Sequence, residues 1–492
     1  MNTIRRTFQS LSVRNFRLYA LGQLMSVTCT WMMIVAQDWL VLGLSGDSGT
    51  ALGAITAAQF APVLLLTLYG GRLADRHDKR RILVLANLAA GVLALALALW
   101  VVAGGVRLWH IGVFAVLLGT VNAVEAPTRM SFISELVGTE LLPNASALSA
   151  AYFNTARVAG PALAGLLISG YGVGPVMLLN AVSYLATVVS LVLMRPGEMR
   201  GGGAGRARDT RVVDGLRYLR SRSDLLLPIG LVAVNGLFAF NFQLTLPLLA
   251  KTVFGAGSTT FGLLSSSLAV GSLVAAFATT ARRGRPSAGV VTGGAVAFGA
   301  LEALTGFAPT LPVALVLLAA TGYAMSHFAQ SSNHRIQLGS DPRYRGRVMA
   351  VYTLIFQGST PMGAVLTGLV SEEFGARWGM TAGGLVSLAA GLGAWWLLRR
   401  GYGVGAAGAL GGSGSVEASG PVVGAGSVEA VGAAGASGVV GVSGVVGASG
   451  DGVGASGDGV GASGDGAVTP VVLESYAERA LRSGTPTTRR GS

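Results

Sequence analysis

Charge is scarce in this sequence: Asp, Glu, Lys and Arg make up 12% of its 492 residues, against roughly a quarter in an ordinary soluble domain. A water-facing surface of this size needs more, which excludes a soluble enzyme. Cysteine occurs once, as Cys29, so neither a disulfide framework nor a cysteine metal site exists within one chain. Inside an apolar run that thiol reads as a small packing group. The sequence also lacks a phosphate-binding G-x-x-x-x-G-K-[ST] loop, an H-E-x-x-H pair and a G-x-S-x-G elbow, which argues against an ATP-driven pump or a membrane hydrolase. No catalytic residue, metal or cofactor is expected.

What fills the chain instead is apolar, with 51% of residues hydrophobic. Uncharged runs such as 18–37, 48–71, 82–106, 225–250 and 252–281 reach the roughly 20 residues that a helix needs to cross a 30 Å hydrocarbon core. Runs rich in Gly, Ala and Leu fit close-packed helices better than the alternating strands of a barrel. Arg5, Arg6, Arg14 and Arg17 precede the first run as they would in a signal peptide, but that run is too long and others follow. It is read as the first span.

With charge, Gly and Pro as punctuation, twelve spans fall at about 18–43, 49–70, 82–104, 109–127, 144–169, 174–194, 225–250, 258–281, 287–307, 311–331, 347–371 and 376–398. The fold class is therefore an all-α polytopic membrane protein. A cytoplasmic N-terminus puts 27 Lys and Arg on the cytoplasmic side and only Arg107, Lys251 and Arg377 on the other, as positive loops that resist translocation require. Both termini are expected in the cytoplasm. The net charge of +13 does not call for nucleic acid, because the basic residues are spread over short loops.

Residues 1–195 and 225–400 form two six-helix halves, joined by a charged cytoplasmic connection at 196–224. Within it, 211–222 reads either as a basic amphipathic helix or as a solvated linker. Residues 401–492 turn to Gly, Ala, Ser and Val, with a repeated Gly-Ala-Ser-Gly-Asp-Gly-Val unit. Such a segment cannot offset the ordering of so many glycines, and a disordered cytoplasmic tail is expected.

Between the second and third spans lies Gly71-x-Leu73-Ala74-Asp75-Arg76-x-x-Lys79-Arg80. It resembles the loop signature of the major facilitator superfamily, G-x-L-a-D-r-x-G-r-k, with Asp78 where a second glycine usually stands. The likeness covers roughly residues 10–400 and implies a transporter whose halves rock around a midplane cavity. In that family the loop holds the halves together in the outward-open state, which makes Gly71, Asp75, Arg76 and Arg80 the expected gating residues. Physically, Gly71 permits close helix approach, and Asp75 can accept hydrogen bonds from amides at a neighbouring helix N-terminus. Arg72, Lys79 and Arg81 are read as topology signals. The equivalent second-half loop, with Arg282, Arg283 and Arg285, keeps the charge but lacks the aspartate. Only the first-half latch looks complete.

In the fifth span, Gly160-Pro161 and Gly165 resemble the glycine-proline motif of the family's antiporters, where small residues and a bend suit a helix that rocks. Runs 122–129 and 345–352 resemble a bacterial branch that includes siderophore and macrolide exporters. Arg157 is the only basic residue well inside the assigned spans, where a lone charge costs at least about 2.5–3.5 kcal/mol. It serves either a functional ion pair or cavity, or a static structural pair.

Three acids join Arg157 as proton-coupling candidates: Asp38 late in the first span, Glu125 near the inner end of the fourth and Glu302 toward the outer end of the ninth. A carboxyl group that moves between water and a low-dielectric cavity is suited to proton exchange. Asp38 comes first by resemblance to related exporters, with simple hydration at the outer interface as the alternative. Glu125 is read chiefly as a structural pair with Arg129 or as a gate pair, and Glu302 serves equally well as a group hydrated at the interface. Gln23, Trp31, Asn154, Asn235, Phe238, Asn241 and Gln330 are the candidates to line a cavity for a bulky amphipathic substrate; each polar one alone also suits an interhelical hydrogen bond.

The resemblance implies proton-coupled efflux of a drug-like or siderophore-like small molecule by a monomer in the lipid bilayer of a bacterial plasma membrane. The alternatives are an importer of a nutrient or lipid on the same fold and a non-transporting receptor or scaffold. A scaffold would not require Asp75.

Overall fold

The computed structural model describes residues 8–199, 212–280 and 284–401. The expected disordered tail beyond Gly401, and the loop residues Arg282 and Arg283, lie outside the described residues. The first half holds α1 (Arg14–Ser45), α2 (Gly49–Arg76), α3 (Lys79–Val102), α4 (Leu108–Tyr171) and α5 (Val173–Val192). A short helix, α6 (Val212–Arg220), occupies the connection. The second half holds α7 (Ser223–Phe238), its continuation α8 (Phe242–Leu248), α9 (Ser258–Thr280), α10 (Ala288–Gly306), α11 (Leu311–Gly339), α12 (Arg345–Phe374) and α13 (Ala376–Arg399). Among the described residues, eleven helical segments are long and apolar enough to cross a membrane.

One of them must count twice. The 64 residues of α4 would run about 96 Å as one straight helix, three times a hydrocarbon core. At Gly138 the backbone leaves helical geometry (φ 75°, ψ 175°), a conformation that a side chain would oppose. The chain turns back there, and twelve passages result. This corrects the expected end of the fourth span at residue 127. Pro127, Pro143 and Pro161 all lie inside α4, because neighbouring helices can satisfy the carbonyls that a proline frees within a bundle. The helix therefore carries Glu125 and Arg129 into the protein.

Within each half the same kind of seam recurs: α2 packs on α4, and α9 packs on α11. Glycines set the spacing. A Cβ at Gly119 of α4 would collide with the Gln59 carbonyl oxygen of α2, and one at Gly322 of α11 with the Leu268 carbonyl oxygen of α9. Gly70, rather than the expected Gly71, makes the corresponding approach at the charged end of α2: a Cβ there would meet the Ala123 carbonyl, whereas Gly71 faces open space. Successive helical residues point about 100° apart, so only one of two adjacent glycines can face α4.

Two further seams join the halves, α2 against α12 and α4 against α9. Both are tightest at the end of the bundle away from the basic loops, here called the far end. A Cβ at Gly49 would stand 2.9 Å from the Gly368 carbonyl oxygen, and one at Gly165 2.7 Å from that of Ser258. The Ser258 and Thr259 hydroxyls donate to the Gly165 carbonyl at 3.1 and 3.3 Å, and Ser266 Oγ donates to the Val158 carbonyl at 2.7 Å.

The glycine seams predict that Gly322→Leu lowers thermal stability in detergent by about 1–3 kcal/mol, the cost of overpacking a close crossing. Gly230→Leu, at an exposed α7 position with open space around it, should stay within about 0.5 kcal/mol of the parent. Equal melting of the two variants would contradict this account of the crossing.

Candidate functional site: a polar cavity in the first half

A cavity of about 920 Å³, including its share of open solvent, is lined entirely by first-half residues. Helical periodicity builds it. On α1, Gln23, Ser26, Val27, Thr30, Trp31, Ile34 and Gln37 recur at spacings of three and four, which places them on one face. On α4, Leu118, Val121, Asn122, Glu125 and Arg129 do the same. Gln59 of α2, Asn87 of α3, and Asn180 and Tyr184 of α5 close the wall.

At its centre stands a charged pair. Arg129 Nε lies 3.7 Å from Glu125 Oε1, both side chains being largely buried, and Arg129 Nη1 donates to Gln23 Oε1 at 3.4 Å. Arg129 had been assigned to a loop because the fourth span was drawn too short; Arg157 is thus not the only basic residue inside the bundle. A lone arginine at this depth would cost at least about 2.5–3.5 kcal/mol, and Glu125, one turn away, offsets that cost. Both contacts are long, so the pair is loosely held and its donors and acceptors can be shared with a ligand. Farther along the cavity, Gln37 Nε2 donates to Gln59 Oε1 at 3.2 Å.

Trp31 ties the cavity to the second passage of α4. Its ring meets Phe153 edge-on at 6.0 Å between centroids, and the Arg157 guanidinium carbon lies 5.9 Å from the ring centroid. Gly160 packs on the same helix, since a Cβ there would stand 2.5 Å from Trp31 Cβ. Gly165 instead faces α9, and the carbonyl of Pro161 abuts Gly262 of α9. The glycine-proline motif thus has one contact inside its own half and two across the seam.

Of the expected cavity residues, Gln23 and Trp31 line this space. The others sit elsewhere. Asn154 donates to the Ala150 carbonyl at 2.8 Å. Asn235 donates to the Leu231 carbonyl at 2.7 Å and accepts from Ser387 at 2.5 Å, joining α7 to α13. Asn241 donates to the Leu237 carbonyl at 3.2 Å, and Gln330 accepts from Thr279, joining α11 to α9. Phe238 is half-buried on α7. Nearby Phe240 packs against Phe298, Phe328 and Phe356.

Asp38 is 1% exposed and faces Gln243 of α8, across the seam between the halves. Its Oδ2 has no hydrogen-bond partner among the described residues, and neither does Gln243 Oε1. Simple hydration at a surface does not describe it. Glu302 is equally buried, in α10, with Oε2 unpartnered among the described residues.

At the basic end, the loop expected to gate makes no ion pair with the other half among the described residues. Asp75 and Arg76 are exposed, and no ion pair among the described residues includes either. Arg80 works within its own half: Nε and Nη2 donate to the Leu191 and Val192 carbonyls at 2.7 and 2.9 Å, a cation satisfying the last carbonyls of α5. Asp78 replaces the missing glycine by capping α3, accepting from the Arg80 and Arg81 amides at 2.9 and 3.3 Å. Lys79, read as a topology signal, also pairs with Glu135 of α4.

The second-half loop finds its aspartate elsewhere in the chain. Asp224, 3% exposed at the start of α7, binds Arg222 through both oxygens at 2.8 and 3.0 Å and Arg285 at 2.8 Å. Arg222 also reaches the Gly339 carbonyl at 3.1 Å. Of the segment 211–222, residues 212–220 form the helix α6, whose Tyr218 stacks on Tyr344 at 4.6 Å.

Comparison with known proteins gives a consistent result. Residues 5–399 match a family described as transmembrane secretion effector. The multidrug efflux pump Tap of Mycolicibacterium fortuitum is 27% identical over 360 residues, 70% of this chain and 85% of that protein. The staphyloferrin A transporter of Staphylococcus aureus is 25% identical over 248 residues, 50% of this chain and 62% of that protein. In fold, the chain is similar to a bacterial homologue of the human lysosomal transporter Spinster, in an inward-facing and unoccupied conformation (TM-score 0.62, 14% identity, 79% and 97% of the two chains). It is also similar to an inward-facing bacterial homologue of the iron transporter ferroportin (TM-score 0.61, 17% identity, 79% and 98%).

The central pair predicts a non-additive response. Glu125→Leu or Arg129→Met alone should destabilise by about 3–5 kcal/mol, because each strands a buried charge, while the two substitutions together should cost far less. Thermal unfolding of the two single variants and the double variant measures this; additive losses would show that the residues do not act as a pair.

Proposed function

Since this chain belongs to the transmembrane secretion effector family of major facilitator transporters, we propose that it exports a drug-like or siderophore-like small molecule by alternating access, driven by protons. The cavity carries this reading. Its lining mixes carboxamides, aromatic rings and one loose ion pair. That combination suits a bulky amphipathic ligand with both hydrogen-bonding groups and ring faces. Tap, an efflux pump, supports export; the staphyloferrin A transporter supports a siderophore-like cargo.

The basic end faces the cytoplasm in this reading, by the charge asymmetry of the loops. The far end is then external, and with its seams closed the protein stands inward-facing. Closing the basic end requires Asp75 to dock on the other half, and opening the far end separates α8 from α1. That separation would carry Asp38 from the seam into water, as a proton-exchanging group requires. Asp38 is therefore the first choice for the coupling site, ahead of Glu302, which lies within one half.

In inside-out vesicles, an imposed proton gradient should drive accumulation of a fluorescent drug analogue, and Asp38→Asn should abolish the gradient's effect. Equal uptake with and without the gradient would contradict proton coupling, and gradient-driven loss of dye would favour import. Asp75→Asn should reduce flux at least tenfold while leaving the protein folded and monodisperse; unchanged flux would remove the gating role.

A further inference from the structure

Glu372 makes a contact that the gating loop does not explain. It lies near the C-terminus of α12, and its Oε2 accepts from the Ser48 hydroxyl at 2.9 Å and from the Thr50 amide at 3.2 Å. Ser48 is the N-cap of α2, and its Oγ also accepts from the Ala51 amide at 3.1 Å. A carboxylate of one half thus sits on the positive terminus of a helix in the other, which the helix dipole and a free backbone amide both favour. Beside it, Lys251 pairs with Asp47, again across the halves, and lies 5.5 Å from the Trp39 ring centroid.

The pairing of α2 with α12 gives this contact its meaning. Gly49 packs on Gly368 and Gly53 on Ala364, so four residues forward on α2 match four residues back on α12. The helices are antiparallel. Each carries an acid within two residues of its C-terminus, Asp75 on α2 and Glu372 on α12. Extending the register to the basic end sets Asp75 opposite the start of α12, as Glu372 stands opposite the start of α2. Each helix also has a proline near its own middle, Pro62 and Pro361, although the register sets them about six residues, or ~9 Å, apart along the pair. Mid-helix prolines are where helices bend.

We propose that Glu372 is the far-end latch of the transport cycle, the reciprocal of Asp75, and that the antiparallel α2–α12 pair works as a seesaw in which the two acids alternate. In this structure both acids are exposed, but Glu372 is hydrogen-bonded to α2, while Asp75 is in no ion pair among the described residues. Rocking about the proline-bearing middle would seat Asp75 on α12 and withdraw Glu372 from Ser48 and Thr50. The position of the pair, rather than either contact alone, then sets which end is open. The inference rests on the alternating-access reading.

The test is a far-end distance measured by pulsed electron spin resonance in nanodiscs, with labels at Tyr171 and Thr310 on opposite halves in a Cys29→Ala background. Both label sites are exposed, and neither touches the latch. Wild type should show a closed and an open distance. Glu372→Gln should lower the closed-to-open ratio about 2- to 5-fold, the range an exposed carboxylate at a helix terminus supports, and Asp75→Asn should raise it. Ser48→Ala, which leaves every charge in place, should shift the ratio in the Glu372→Gln direction by a smaller factor and covers the case of a poorly folded Glu372 variant. The latch is overturned if Glu372→Gln and Ser48→Ala leave the ratio unchanged while Asp75→Asn moves it, or if all three move it the same way. One distance, unaltered in wild type and every variant, would instead overturn alternating access itself and the latch with it.

Discussion

A bundle that spans hydrocarbon has no water to satisfy its polar groups, so each one carried inside must find a partner in the protein. Most features of this structure follow from that constraint. Asn235 and Gln330 are spent on neighbouring helices. Asp224 is held by two arginines where α7 begins. Arg129 is tolerated in the bundle because Glu125 and Gln23 face it. Where polar groups are gathered in one half and left loosely paired, a cavity results; where phenylalanines meet, as around Phe240, the space is filled.

The same constraint separates what could be read from the sequence from what could not. The long uncharged runs and the alternation of basic loops lead directly to twelve passages in two halves, since length and charge are the properties on which the bilayer acts. Boundaries set by proline fail at Pro127, because a bundle tolerates a missing donor that an isolated helix would not. That single error left Arg129 outside the span: its pairing with Glu125 was legible in the i, i+4 spacing, but its burial in the cavity wall was not. The polar stripe on α1 was present in the spacing of Gln23, Ser26, Thr30 and Gln37, and reading it by helical face would have found it. Other features lie beyond one-dimensional pattern. Nothing in the sequence shows that Gly70 rather than Gly71 faces α4, or that Asp224 supplies the acid missing near Arg285, because both depend on how distant segments are rotated and brought together.

The two halves are unequal partners in this arrangement. The first holds the cavity, and the second contributes the seams that cover one end of it. The halves meet through glycine-lined crossings, where backbones approach closely and few side chains interlock. Such crossings have one property that rocking needs, large dispersion contact when they are closed, while Leu64 against Gly358 and Trp39 stacked on Phe261 are side chains that must part between the halves. In the proposed cycle, charged groups at the ends of α2 and α12 would bias the motion.

The central claim is that the first-half cavity is reached alternately from the two faces of the membrane. Gln59→Cys, in a Cys29→Ala background, places one thiol in that cavity for reaction with a membrane-impermeant maleimide applied to either side of sealed vesicles. The account predicts labelling from both sides, with Asp75→Asn favouring the side of the basic loops and Glu372→Gln favouring the opposite one. Labelling from a single side under every condition would contradict it.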